Sequence, residues 1–179
     1  MKPKNTVFIA TSLDGYIADK DGGTDWLHAV PNRDGDDMGY NALIARTDAL
    51  VMGRNTFETV AGFDIDWPYT VPVFVLSNSL QTVPDTYREK VELVRGSLAD
   101  VLEYIHSKGH KRLYIDGGSA IQSFLREDLI DEMIITTIPI LLGGGFALFG
   151  EMKTPLHFEL VESKTYLGEL VQSRYLRKR

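Results

Sequence analysis

Two short apolar runs in this chain each stop at a glycine and pass directly into a stretch that can start a helix. The first is Ala49-Leu50-Val51, followed by Met52-Gly53-Arg54-Asn55-Thr56. The second is Tyr114-Ile115, followed by Asp116-Gly117-Gly118-Ser119. A strand that turns straight into a helix commits the chain to crossover connections, and crossovers build parallel sheets. The same junction is an economical holder of phosphate. Glycine lets the backbone pass close to a ligand without a Cβ, and the N–H groups and dipole of the helix start favour an anion. Arg54 adds a guanidinium fork that suits a phosphate better than a lysine would. Two such turns suggest a dinucleotide held end to end; the alternative for each is a plain strand-to-helix connector.

Strand candidates bounded by turn residues are Thr6–Ala10, Ala49–Met52, Val71–Leu76, Val91–Val94, Arg112–Ile115, Asp131–Ile138, His157–Thr165 and Glu169–Leu176. Helices are expected over Asp37–Arg46, Thr56–Ala61, Ser97–Ser107 and Ser119–Arg126, the third opened by a capping pattern in which Asp100 replaces the usual Glu. This alternation predicts an α/β fold: a mixed, mostly parallel sheet of about eight strands with helices on both faces. The last third changes character, and Leu167-Gly168 reads as the turn of a C-terminal antiparallel hairpin. At 179 residues and 44% apolar composition, the chain fits one domain spanning 1–179 with a full core.

Composition removes several functions. A net charge of −6 argues against a general nucleic-acid or anionic-membrane binder. The cluster Arg174, Arg177, Lys178 and Arg179 is expected to be a solvated strand end. No cysteine is present, so disulfides, thiolate metal sites and cysteine nucleophiles are out and a reducing cytoplasm is compatible. Val7–Ala10 is too short for a signal peptide, and Met133–Phe149 is too broken by Pro139 and three glycines to span a membrane. Gly143-Gly144-Gly145 fails the dinucleotide fingerprint, because Leu148 stands where its last glycine belongs. His106 and His110 lack a helical partner acid, and the Asp19, Asp21, Asp25 loop has Val30 where a calcium loop needs Glu. Without a nucleophile or metal constellation, a bound cofactor would have to supply any chemistry.

Six segments in order carry a family resemblance. They are Ala10–Ala18, Asp25-Trp26-Leu27, Val51–Glu58, Val73–Ser77, Ile115–Ser119, and Ile130-Asp131-Glu132 with Pro139–Gly145. Together they resemble the dihydrofolate reductase-like superfamily, and most closely the reductase domain of the bifunctional riboflavin-biosynthesis deaminase/reductase and its stand-alone relatives. The resemblance implies a dihydrofolate reductase-like three-layer fold and an NADPH-dependent reductase. It implies that Gly53, Arg54, Asn55 and Thr56, with Leu76, Ser77 and Asn78, hold the adenosine 2′-phosphate end. Gly117, Gly118, Ser119 and Ala120 would lie under the pyrophosphate, and Ala10, Asp14, Gly15 and Ile17 would border the nicotinamide. Pterin, folate and ribosylaminopyrimidine are all possible substrates. The riboflavin-pathway relatives are dimeric, which implies a homodimer through the C-terminal strands or the neighbouring Asp131–Ile138 strand.

Individual residues leave choices open. Folate-type members anchor the pterin with an acid on the first helix; Asp37 is the candidate here for proton delivery, with helix capping as the alternative. Trp26 is a candidate for the substrate side, against a structural place under its loop, and Trp67 is expected to be structural. Pro139, Leu142 and Gly143 either face the substrate or simply end a strand. A non-catalytic nucleotide- or flavin-binding protein of the same fold is the competing functional reading.

Overall fold

Parallel pairing joins the runs that lie between helices, and antiparallel pairing joins the two that lie beyond them. The computed structural model describes residues 1–179. Its strands are β1 (Lys4–Ser12), β2 (Tyr16–Ala18), β3 (Ala49–Gly53), β4 (Val73–Leu76), β5 (Val91–Val94), β6 (Arg112–Asp116), β7 (Glu132–Ile138), β8 (Phe146–Ala147), β9 (Phe158–Tyr166) and β10 (Leu170–Arg177). The helices are α1 (Tyr40–Ala45), α2 (Arg54–Ala61), α3 (Leu98–Ser107) and α4 (Gly118–Arg126). Eight strands form one sheet in the order β5-β4-β3-β6-β1-β7-β10-β9. The first six of that order run parallel, and β10 and β9 close it antiparallel.

Strand alternation divides the core into two layers. On β6, Leu113 and Ile115 face the layer built with α3 and α4, while Tyr114 faces the layer that holds Leu43 of α1 and Phe57 of α2. Ala49 and Val51 of β3 go to the first layer, and Leu50 and Met52 to the second. The sheet is therefore covered on both faces, as its unbroken apolar strands require.

Several elements differ from the sequence reading for identifiable reasons. Strand β4 starts at Val73 because Pro72 has no N–H to give the ladder. Helix α1 starts three residues late: Met38 and Gly39 both have positive φ (53° and 91°), so no helical turn fits before Tyr40. The two-stranded sheet of β2 and β8 was not expected. Its strands are two and three residues long, too short to show a period, and exist only because distant segments meet. The hairpin turn is as expected, with positive φ at Leu167 (52°) and Gly168 (74°), the pattern of a type I′ turn.

The sheet edges are β5 and β9, and β7 lies inside between β1 and β10, so β7 has no free edge for a partner chain. The C-terminal cations are not simply solvated. Arg177 forks onto the Asp128 carboxylate, and Arg179 donates to Asp131 at 2.6 Å. No helix is long and apolar enough to cross a membrane.

Where the parallel strands begin, carboxylates tie them together. Asp48 accepts from the backbone N–H groups of Lys111 and Arg112 and from the Arg112 guanidinium, joining β3 to β6. Glu132, with a fully buried side chain, accepts from Thr6 Oγ1 on β1, Arg46 beyond α1 and Arg174 on β10, and pairs with Lys4 at 2.7 Å. Burial alone would raise this carboxyl, but hydrogen bonds from Arg46, Lys4 and Arg174 outweigh it and bring it down to about 2. Its contribution to stability is present above its ordinary value of 4.5 and is lost as pH falls from there towards about 2. Glu132→Gln leaves three cations facing a neutral group and should cost about 3 kcal/mol, read by urea unfolding at neutral pH. The gap between wild type and variant should then close as the titration is repeated below pH 4.5; a gap that stays constant to pH 2 would contradict this account.

Candidate functional site

The C-terminal ends of β4, β3, β6 and β1 form one rim, because these strands are neighbours or next neighbours and run parallel. In such sheets ligands bind outside the carboxyl ends of the strands. The two glycine junctions of the sequence meet on this rim. Gly117 has φ +88°, and a Cβ there would lie 2.2 Å from Thr56 Oγ1 at the start of α2. Glycine is required at 117 both by the backbone angle and by the threonine opposite. At Gly53 the geometry is the reverse: a Cβ would meet nothing within 4 Å, so the bare backbone borders open space.

Helices α2 and α4 follow these glycines, and no side chain caps either one. Helix α3, at the far side, is capped by Ser97 Oγ, which accepts from the N–H of Asp100. The orphan donors at the starts of α2 and α4 are thus left for something other than the protein, on adjacent strands and near each other.

Beyond α2 the rim carries hydroxyls and a guanidinium. Arg54 donates from Nε to Glu58 at 2.7 Å and from a terminal nitrogen to Ser79 Oγ at 3.1 Å. Ser79 Oγ lies 3.4 Å from Ser77 Oγ, which also accepts from the N–H groups of Ser79 and Leu80 to close the turn after β4. Leu76 ends β4, and Asn78 is exposed in the turn. Arg95 braces the turn through the carbonyls of Leu80 and Gln81. Asn55 is exposed on the first turn of α2. Neither Ser79 nor Arg95 stood out in the sequence, because only the turn geometry brings them to Arg54.

On the other side of Gly117, Ala10 lies near the end of β1, and Ile17 of β2 packs on Gly118, whose Cβ would be 2.9 Å from the isoleucine Cδ1. Ser119 is exposed at the start of α4, while the Ala120 side chain turns into the core and offers a ligand only its backbone. Asp14 follows β1 and is exposed. Its carboxylate accepts from Ser12 Oγ and from the N–H groups of Leu142 and Gly143, while Gly15 shapes the turn with φ +86°. Leu142 and Gly143 are therefore engaged through their backbone, and Pro139 follows the last residue of β7 as a strand terminator.

Two candidates have structural places. Trp26 is buried against Val30, Ile138 and Leu170, with its Nε1 donating to Gly23, so its ring supports a loop and presents no stacking face. Asp37 commits one oxygen to the N–H of Gly39 and the other to that of Asn41. These bonds hold its carboxyl below the usual range. An exposed, ionised cap is a poor proton donor.

Asp116 is the acid at the rim that the sequence reading passed over as part of a phosphate turn. It ends β6 next to Gly117, and burial raises its carboxyl to about 6 against the opposing hydrogen bond from the Gly117 N–H. Burial and the Asp116 charge together push the hydroxyls of Tyr40, Tyr69 and Tyr114 up, so all three stay neutral beside it. An acid placed between the apolar run Leu113-Tyr114-Ile115 and a Gly-Gly turn was the available signal: such a side chain is drawn out of water by the run that carries it. Perturbed carboxyls in clefts mark functional sites more often than chance.

Known proteins share this architecture. Residues 3–171 match the family model of the RibD C-terminal domain. Over 180 residues the chain is 35% identical to "Uncharacterized protein YwjB" of Bacillus subtilis (strain 168), covering 99% of each chain. It superposes with a TM-score of 0.96 and 58% identity on the crystal structure of "Putative riboflavin biosynthesis protein" from Shewanella sp. PV-4, covering 98% of this chain and 99% of that one. Dihydrofolate reductase from Enterococcus faecalis, complexed with NADP(H) and RAB-propyl, shares the fold with a TM-score of 0.63 at 19% identity, covering 98% of this chain and 97% of that one. The fold is thus dihydrofolate reductase-like, and the chain belongs to the RibD C-terminal domain family.

Proposed function

We propose that the protein is an NADPH-dependent reductase that transfers hydride to a small heterocyclic substrate of pterin, folate or ribosylaminopyrimidine type. The observation that carries this reading is the meeting of two uncapped helix starts across Gly117 and Thr56. The starts of α2 and α4 would hold the pyrophosphate, and Arg54 with Ser77 and Ser79 would hold the 2′-phosphate. The reductase-type family and the NADP(H) complex of the dihydrofolate reductase neighbour support the cofactor. Bound NADPH would supply the hydride. The chain's own part is to orient the two reactants, exclude water and deliver a proton.

Asp116 fits the last task better than Asp37, being at the rim and protonated in part near pH 6. Tyr40 and Tyr69 beside it are half-buried; Tyr40 meets Phe8 and the buried Tyr114 edge-on, and Tyr69 meets Trp67. Partly exposed rings of this kind suit a planar heterocycle. A proton donor at this position favours catalysis over mere nucleotide storage.

The terminal hairpin suggests how the protein assembles. Leu160 and Val161 on the edge strand β9, and Val171 on its neighbour β10, are exposed apolar residues, while Glu159, Glu162 and Lys164 oppose open-ended pairing along that edge. A closed homodimer covering this hairpin follows. Sedimentation equilibrium should give a dimer at micromolar concentration; a monomer independent of concentration would remove it.

Two measurements test the reductase. Arg54→Ala should weaken NADPH binding about ten- to a hundredfold, the worth of charge-assisted hydrogen bonds to the 2′-phosphate, and leave NADH binding unchanged. Equal losses for both would place the phosphate elsewhere. With a substrate found by screening cofactor oxidation, activity should fall as pH rises through about 6, because only protonated Asp116 donates. Asp116→Asn should lose about 10²- to 10⁴-fold and flatten that profile; an unchanged profile would exclude Asp116 as the donor.

A further inference from the structure

The chain leaves β1 and β7 side by side, and the two loops that follow are bound to each other. After Ser12 the backbone turns at Gly15 into β2, and after Ile138 it runs through Pro139–Gly145 into β8, which pairs with β2. Leu13 donates its N–H to the Ile140 carbonyl at 2.8 Å, and Leu148 donates to the Gly15 carbonyl at 3.0 Å. Gly145 packs so closely on β2 that a Cβ would lie 2.1 Å from the Ala18 carbonyl. On the far side, Gln122 of α4 donates to the Ala147 carbonyl.

Asp14 sits at the centre of this seam. One oxygen accepts from Ser12 Oγ at 2.6 Å and from the Leu142 N–H at 3.1 Å, and the other accepts from the Gly143 N–H at 2.8 Å. Ser12 Oγ in turn accepts from the Tyr16 N–H at 2.9 Å, so the carboxylate also aligns the start of β2. A single side chain thus fixes the loop after β1 against backbone about 130 residues later. The product of that fixing is the position of Ile17, whose Cδ1 rests on Gly118 at the first turn of α4.

The alternative is that Asp14 merely stabilises the fold. Its carboxylate is exposed, its one side-chain partner is the buried Ser12 hydroxyl at the end of β1, and both loops lie outside the eight-stranded sheet. Exposed ionic contacts add little to global stability, whereas loops with few buried contacts open locally at low cost. A clasp at this place governs local order far more than folding.

We infer that Asp14 is a positioning residue: its carboxylate clasps the loops after β1 and β7 into one flap and so holds Ile17 over Gly118 at the proposed nucleotide cleft. It acts through the flap and does not itself touch the nucleotide. The clasp stands on hydrogen bonds alone; only its effect on nucleotide binding rests on the reductase reading.

The test compares wild type with Asp14→Ala and Asp14→Asn in the absence and presence of NADPH. Hydrogen exchange of the free protein reads the clasp directly. Amides of residues 13–18 and 140–147 should exchange about tenfold faster or more in Asp14→Ala, the worth of charge-assisted hydrogen bonds. Amides of α3 and the thermal melt should not change. Asp14→Asn, which keeps one carbonyl-type acceptor but sets an amide donor near the seam, should be intermediate. Fluorescence titration should then show NADPH binding weakened about tenfold in Asp14→Ala, with the loss graded in the same order across the two variants. Unchanged exchange in both loops would overturn the clasp. Faster exchange with undiminished NADPH affinity would overturn the positioning role, and so would loss of affinity that tracks a lowered melt. If wild type itself binds no NADPH, the reductase reading fails, and the exchange result still decides the clasp.

Discussion

Two helix starts face one rim of the sheet because position 117 has no side chain. Any Cβ there would collide with Thr56, and β6 could not then turn into α4 while α2 stays seated on β3. Everything proposed for the cleft depends on that contact: the paired donors, the approach to Gly53, and the placement of Asp116 one residue before the turn. A glycine at this position is therefore more than a concession to a ligand. The protein needs it to bring its own two junctions together, and the proposed anion site is a consequence.

The sheet treats its two ends differently. At the end where the parallel strands begin, acceptors meet donors within the protein: Asp48 takes the start of β6, Asp131 takes the N–H of Asn5 on β1, and Glu132 gathers cations from three elements. At the other end donors are left over. Of the ion pairs, the Glu132 cluster matters most, because its carboxylate is fully out of water and removing it strands several charges. Exposed pairs such as Arg88 with Asp85 contribute little. Rigidity at the closed end lets the open end keep unsatisfied groups at modest cost.

The fold was legible because its signals are local. Val73-Phe74-Val75, Val91–Val94 and the hairpin turn at Leu167-Gly168 carry their structure in neighbouring residues. The meeting of two strand-to-helix junctions on one rim was legible for the same reason, since Gly53-Arg54 and Gly117-Gly118 are short motifs with a backbone meaning. What was not legible depends on distant contacts. Nothing near Asp14 says that its partners are Leu142 and Gly143, and nothing near Trp26 says that Ile138 and Leu170 bury it. Asp37 was plausible as an acid on the first helix, but Met38 and Gly39 break the helix there and turn the carboxylate into a cap. Asp116 was hidden by its own motif: the glycines drew attention to phosphate and away from the acid beside them.

A crystal structure of the protein with NADP+ would show whether the starts of α2 and α4 jointly hold the pyrophosphate, as proposed. Phosphate oxygens should lie within hydrogen-bond distance of backbone N–H groups from both residues 54–56 and residues 118–120, with the 2′-phosphate at Arg54 and Ser79. A nucleotide bound in some other place, or one whose phosphates touch only one of the two helix starts, would contradict that proposal.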